Sequence, residues 1–527
     1  MIWKIAKKEF LLNLMTFKFA LGTALCVVLV VVLVPVLLED YQQRLRDYSS
    51  NVTANEEDLR KVKVYMNIAP TVFRPPTILS VFSEGYETRL ANAAKIEFES
   101  IPEVSLTSSE TNPYLSIFPV LDVTLIFKIV LGILALLIAY DVVSGEAQRG
   151  TLRLTLSNAI ARPHVLLGKL LSGLLTLLLP ITITFVVGLL ILGLSPAVSL
   201  ALADWTRIGL MYVTSVIFIS AMFSLGLLVS TMARKSATCL ILALLCWIVY
   251  AVVIPSASVS FATNARILEP REKVAGQLAA LEQTRESEKK KWHADFGYTL
   301  GALGHNRDAF GREYVMWLTK STAEHTQKRY AFYRSLSMAY ADRLLEVERS
   351  HLFNVLKQKS LADALARISP LSLYENVMSS LSGTDLIATR SFMERARAYR
   401  NEVIEYIRSK TDDFRLPSYF TTMTMDEMAE CQQAREEISR LIKLKDAADK
   451  SAGEKLSSAI ERRNKLLRDA GDKPSVVDLE GFPTFTYEPP GVVKSLKYVA
   501  PDLVLLLLSN SLFLTLSFVT FLRYDVR

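Results

Sequence analysis

Cysteine and histidine are both scarce in this 527-residue sequence, with four of the first and five of the second. Cys26, Cys239 and Cys246 sit in apolar runs and Cys431 stands alone in a polar stretch, so there is neither a disulfide framework nor a metal-ligand set. Cys431 therefore reads as a surface thiol. His164, His293, His305, His325 and His351 are scattered, and no His-Glu-x-x-His occurs. The phosphate-binding pattern Gly-x-x-x-x-Gly-Lys-Ser/Thr is missing, because Gly168-Lys169 lacks the upstream glycine, and no Gly-x-Ser-x-Gly elbow appears. These absences leave no catalytic set. No aromatic-basic pattern of the RNA-binding kind is present either, so the net charge of +7 is not an argument for nucleic acid.

What the sequence has in quantity is segregated apolar residues. Hydrophobic residues make up 51% of the chain and charged ones 21%, yet the two are concentrated in different stretches. About 20 apolar residues are needed to cross a bilayer as a helix. Six stretches qualify: 17–38, uncharged from Phe19 onward; 118–140; 166–194, with Pro180 inside as a point of kinking; 208–232; 238–255; and 503–522. The first is too long for a signal peptide and lacks a small-residue cleavage site.

Basic residues mark one side of the membrane. Lys4, Lys7, Lys8 and Lys18 precede the first span, Arg149, Arg153, Arg162 and Lys169 flank the second loop, Arg234 and Lys235 fill the fourth, and Arg523 and Arg527 follow the last span. All fall on one face of a six-span chain, which predicts cytoplasmic termini and a multi-pass protein of the bacterial inner membrane. Regions 39–117 and 256–500 then lie outside. The first reads as a short polar helix, Tyr41 to Tyr48, with strand candidates Val62 to Met66 and Ile78 to Phe82. The second reads as mainly helical, with amphipathic segments over Arg266–Trp292, Thr319–Lys357, Ser391–Arg408 and Met425–Asp469 that could project as antiparallel hairpins. The fold class is thus mainly α: a polytopic six-helix membrane protein with a large helical outer domain and a small mixed α/β part.

Polar residues inside spans are functional candidates by default. Asp122 and Lys128 lie in the second span, six residues apart and so on different helix faces. Lys128 pairs with Asp122 or another helix, snorkels outward, or lines a pathway. Asn510, within Ser509, Ser511, Thr515 and Ser517, reads as helix-to-helix glue, as do Gly226 and Ser230.

The most informative stretch is the loop 141–165. It begins polar and continues as a short amphipathic helix with Leu152, Leu154 and Leu156, closed by Arg162-Pro163. Joined to two spans, it is a handle on which a soluble partner can push. The pattern Ser144-Gly145-Glu146…Gly150-Thr151-Leu152…Leu156-Ser157…Arg162…Gly168-Lys169 resembles the permeases of the ABC-2 superfamily of ATP-binding-cassette transporters, and by that resemblance Arg149 and Arg153 would be further coupling residues. Residues 1–16 resemble that family's amphipathic connecting helix, with Ile2, Ile5, Ala6 and Phe10 opposite Lys4, Lys7 and Lys8. Arg74-Pro75-Pro76, Ser369-Pro370, Gly383-Thr384-Asp385, Phe392, Tyr399-Arg400 and the ending 523–527 are similar to the branch with a large insertion between spans five and six. Ala147-Gln148 departs from its usual acidic or lysine pattern.

The resemblance implies the six-span ABC-2 permease fold and a coupling helix at 144–153 docked on a separate ATPase. It implies two ATPase chains that bind ATP and Mg, a second permease chain, identical or related, and no cofactor in this one. Function is then export or extraction of an amphiphile among membrane lipids. The alternative is ATP-driven mechanotransmission through the outer domain to periplasmic or envelope proteins, and a membrane-anchored sensor or enzyme comes third.

Overall fold

The computed structural model describes residues 2–90, 92–102, 121–157, 161–196, 198–268, 270–296, 304–307, 314–317, 323–446 and 451–524. Six helices in it are long and apolar enough to cross a membrane. A short helix, α1 (Ile2–Leu14), precedes the first of these, α2 (Phe17–Arg60). The second is α3, built from Val123–Ile126, a π-helical turn Phe127–Leu131, and Gly132–Ala139. Two short helices follow, α4 (Ser144–Arg149) and α5 (Thr151–Ser157). Then come α6 (Arg162–Gly193), α7 (Leu202–Met232) and α8, which runs Ser236–Ile248, a π-turn Val249–Val253, and Ile254–Ala265. The sixth span belongs to the last helix, α15 (Val492–Leu522).

All but the second of these helices outrun their apolar stretches at one end or both, because hydropathy marks where a helix meets lipid and not where its hydrogen bonds stop. The clearest case is α2. The short helix expected at Tyr41–Tyr48 is not separate: α2 continues unbroken for 44 residues, past Glu39-Asp40. No breaker follows the apolar run, and the Asp40–Arg44 ion pair, 2.8 Å at i,i+4, supports the extension. In the second span, 118–120 fall outside the described residues, and the helix starts at Val123 because the Asp122 carboxylate caps it, accepting from Leu125 N at 2.7 Å. Pro163 opens α6 instead of merely closing the segment before it.

The helix α7 lies at the centre. Its most apolar stretch is 72% buried, against 11% for α8 and 17% for α15. Small residues let α3 come close: a Cβ on Gly226 would lie 2.6 Å from that of Ala139. Asn510 of α15 donates to Ser220 Oγ and accepts from Ser224 Oγ, at 2.9 and 2.8 Å, which ties α15 to α7. The exposed flanks of α2, α8 and α15 carry Val28, Val32, Ile241, Leu245, Leu508 and Leu512.

The rest of the chain forms a second core at one end of the spans. The expected strands at Val62–Met66 and Ile78–Phe82 are absent there. Ile78–Val81 is a buried 3-10 turn with no alternating face, and the strands are β1 (Thr71–Phe73) and β2 (Ala93–Lys95), paired antiparallel. A second short antiparallel pair joins β3 (Gly304–Arg307) to β4 (Tyr314–Trp317). The helices are α9 (Arg271–Phe296), α10 (Ala323–Ala366), α11 (Pro370–Ser382), α12 (Leu386–Lys410), α13 (Met425–Asp446) and α14 (Ser451–Asp472). The segment read as one helix over Met425–Asp469 is two, α13 and α14, zipped by Ile438 and Leu441 against Ala459. Cys431 is not a surface thiol: it is fully buried in the second core, and burial pushes its thiol pKa up to about 11.

Candidate functional site

At the end of the spans away from this second core, α1, α4, α5 and the start of α6 come together. Their packing explains why the segment after α3 holds its shape. Asp141 accepts from Lys18 at 2.9 Å, and the same ammonium donates to the Tyr140 hydroxyl at 2.8 Å, which pins the ends of α2 and α3. Ser144 is fully buried, and the backbone N–H groups of Val143 and Ser144 both donate to Ser230 Oγ of α7, at 3.0 and 3.2 Å. Ser230 is thus more than a small packing residue: it satisfies donors that a helix start leaves open. Gly145 is buried, and a Cβ there would come 3.2 Å from that of Asp141.

Glu146 reaches the other way. Its carboxylate lies 2.8 Å from Lys169 Nζ of α6, and the same ammonium lies 3.5 Å from Glu9 of α1. Lys169 is 2% exposed, and the two carboxylates 17% and 18%. A buried lysine is tolerable only with its charge compensated. One cation therefore fastens three elements: α1, α4 and α6. Gly168 completes the joint, since a Cβ there would meet Ile5 of α1 at 2.9 Å.

After Glu146 the segment turns outward. Arg149 folds back onto Gly145 O at 3.1 Å, and Gln148 accepts from Ser236 N at the start of α8. Gly150 adopts φ +76 with nothing within 4 Å of a would-be Cβ, so glycine is used for backbone conformation alone. That left-handed residue separates α4, in the stretch read only as polar, from α5, which stands where the short amphipathic helix was expected. Thr151 Oγ1 donates to Glu146 O at 3.3 Å across the break. Leu152 is 1% exposed, whereas Leu154 is 69% exposed beside exposed Arg153. Residues two apart project about 200° apart on a helix, so Leu152 and Leu154 cannot share a face. The side chain of Leu156 lies outside the described residues. The anchors are therefore Ser144, Gly145, Glu146 and Leu152, and the presented side is Gly150, Thr151, Arg153 and Leu154. The final turn of α15 joins the same end, where Arg162 donates to Leu522 O at 2.7 Å.

The other candidates lie elsewhere. Asp122 and Lys128 do not pair: Asp122 accepts from Leu125 N and Glu84 N, and Lys128 forms an ion pair with Glu375 of α11. Asn510 is the inter-helix tie described above.

The family match decides what this arrangement belongs to. Residues 3–526 match the model described as ABC-2 family transporter protein.

The chain is a member of the ABC-2 transporter family. It is accordingly a multi-pass membrane subunit, the permease part of an ATP-binding-cassette transporter, and it works with an ATPase subunit that it does not itself contain. A search of curated protein sequences finds no significant match.

Arg74, Thr384 and Arg400, singled out as motif residues in the sequence, join the two non-membrane regions. Arg74, 4% exposed, donates to Gly383 O at 2.7 Å and Thr389 Oγ1 at 3.0 Å. Thr384 O accepts from Tyr86 N at 2.8 Å, and Arg400 donates to Glu97 O and Phe98 O, both at 2.7 Å. What the sequence reading missed is Lys169 as a hub, with Glu9 and Ser230. Glu9 carried a signal, being the only acid in a basic α1.

Proposed function

We propose that this ABC-2 permease exports or extracts an amphiphilic substrate, driven by two ATPase chains acting on a pair of permease chains, identical or related. In this reading α1 and the segment 144–157 face the cytoplasm, the second core faces outward, and the chain resides in a bacterial inner membrane. ATP and Mg belong to the ATPase chains. The observation that carries it is the segment Ser144–Ser157: its inner side is fastened to α1, α6 and α7, and its outer side offers Arg153 and Leu154. A push on that side is transmitted to three helices as one body. Exposed apolar flanks on α2, α8 and α15 leave room for lipid and for the second chain.

The test is to co-express the chain with its ATPase and measure hydrolysis and substrate movement in vesicles. Glu146→Ala removes one anchor, and Gly150→Pro forbids the positive φ. Either variant is expected to assemble yet lose coupling between hydrolysis and movement. Unchanged coupling in both would sink the assignment of this segment.

A second reading, mechanotransmission without transport, is favoured by α10 and α11. At 44 residues α10 extends roughly 66 Å. Its foot, Arg367, is salt-bridged to Asp502 of α15 at 2.6 Å. The adjoining α11 stacks Tyr374 on Phe218 of α7, ring centroids 4.4 Å apart. Movement of the spans would then tilt a long lever. Hydrolysis that responds to an envelope partner, with no flux of any lipid tested, would favour this reading.

A further inference from the structure

A cavity of about 280 Å³ sits at the start of α3 and plays no part in the segment that meets the ATPase. Three pieces wall it: the loop bearing Tyr86 and Arg89, the first turns of α3 with Asp122, Leu125 and Lys128, and α11 with Glu375 and Asn376. Its volume is near the lower end for small-molecule pockets, roughly 300–1,000 Å³.

Its depth follows from counting residues. Asp122 caps one end of α3, and Asp141, held by Lys18, marks the other. Nineteen residues at 1.5 Å span about 28 Å, close to the ~30 Å hydrocarbon core. The cavity is therefore at headgroup level. Below it, Leu125 and Ile129 lie one turn apart on α3; Leu125 is half-buried and Ile129 36% exposed, an apolar track for an acyl chain.

The charges specify the headgroup. Lys128 is 16% exposed and pairs with Glu375, whose side chain is 56% exposed. Arg89 is exposed and has no carboxylate partner among the described residues. Asp122 is already engaged by two backbone donors. A ligand with one anionic and one cationic group can replace the Lys128–Glu375 pair charge for charge and bring Arg89 an anion. A purely anionic headgroup would face Glu375 with like charge, and a purely cationic one would leave Arg89 unmet. The π-turn at Phe127–Leu131, which carries Lys128, is a distortion found frequently at functional sites.

We propose that this cavity binds the headgroup of a zwitterionic phospholipid, with phosphate on Arg89 and Lys128 and ammonium on Glu375. This goes beyond the permease reading and is tested without ATP hydrolysis or transport, so either can fail alone.

The experiment is native mass spectrometry of the full-length chain in nonionic detergent, with phosphatidylethanolamine and phosphatidylglycerol added at equal concentration. The wild type should retain the ethanolamine lipid preferentially. Glu375→Gln should abolish that preference. Arg89→Gln should lower retention of both lipids about tenfold, the equivalent of about 1.4 kcal/mol for one charge-assisted contact. Glu394→Gln, which removes an exposed ion pair with Arg390, should change nothing. Arg89 is exposed, so its variant remains informative if the Glu375 variant fails to fold. Equal retention of both lipids by the wild type, or unaltered preference in Glu375→Gln, would overturn the proposal. So would displacement of the lipid by an equal concentration of glycerophosphoethanolamine, which would make a free solute the occupant.

Discussion

The hub at Lys169 makes a quantitative prediction about non-additivity. At an effective dielectric of 20, Coulomb energies at 2.8 and 3.5 Å are about 6 and 5 kcal/mol. Most of each is offset by the cost of burying the ammonium. Glu146→Gln alone leaves Lys169 with Glu9, and Glu9→Gln alone leaves it with Glu146. Each single change should cost about 1–2 kcal/mol, the part of one ion-pair energy that survives the cost of burial. The double change leaves a lysine at 2% exposure with no counter-charge, and should cost about 3–5 kcal/mol in all, about 1 kcal/mol beyond the sum of the two single changes. The assay is reversible unfolding of the full-length chain by SDS in mixed micelles, run as a double-mutant cycle. Lys169→Met in the doubly neutralised background should recover most of the loss, since it removes the stranded charge and keeps the volume. Additivity within about 0.5 kcal/mol would refute the idea of one shared cation.

Other outcomes follow from single positions. Gly150→Ala meets no atom, so its cost should be backbone strain alone, about 1–2 kcal/mol, seen as lower stability with the segment still assembled. Gly226→Val should separate α7 from α3, with a loss of about 1–3 kcal/mol or failure to fold, measured by the same SDS titration. Cys431, buried with its thiol pKa pushed up to about 11, should resist a membrane-impermeant maleimide at pH 8 and react only on unfolding, as read by mass shift. Arg74→Ala strands Gly383 O and loosens the joint between the two non-membrane regions, which should appear as protease sensitivity near 383–389 and a loss of about 2–3 kcal/mol.

Much of the membrane region was legible because a helix that crosses lipid needs a long apolar run, and such runs are visible in the sequence. Six helices long and apolar enough to cross a membrane overlap the six runs. Their ends were not legible: α2 runs on to Arg60 through residues that are polar but still good helix formers. Arg74, Gly383 and Arg400 could be picked out as motif residues, but that Arg74 meets Gly383 and Arg400 meets Glu97 depends on a fold that brings residues about 300 apart into hydrogen-bond range. The short α11 was missed although Leu371, Tyr374, Met378 and Leu381 recur at helical spacing over Pro370–Ser382; it packs the second core's side of the chain onto the spans through Tyr374. In the candidate site, Glu146 and Gly150 were singled out through the resemblance to the ABC-2 permeases. The role of Lys169 was not, because a lysine at the start of a span looks like one more basic residue until Glu9 and Glu146 are seen on either side of it.

The central claim, that Thr151 to Leu154 meets the ATPase, has a direct test. A photo-reactive phenylalanine analogue at Arg153 in the co-expressed complex should cross-link to the ATPase subunit, and the same probe at Lys494, at the opposite end of the spans, should not. A cross-link at Lys494 with none at Arg153 would contradict the account.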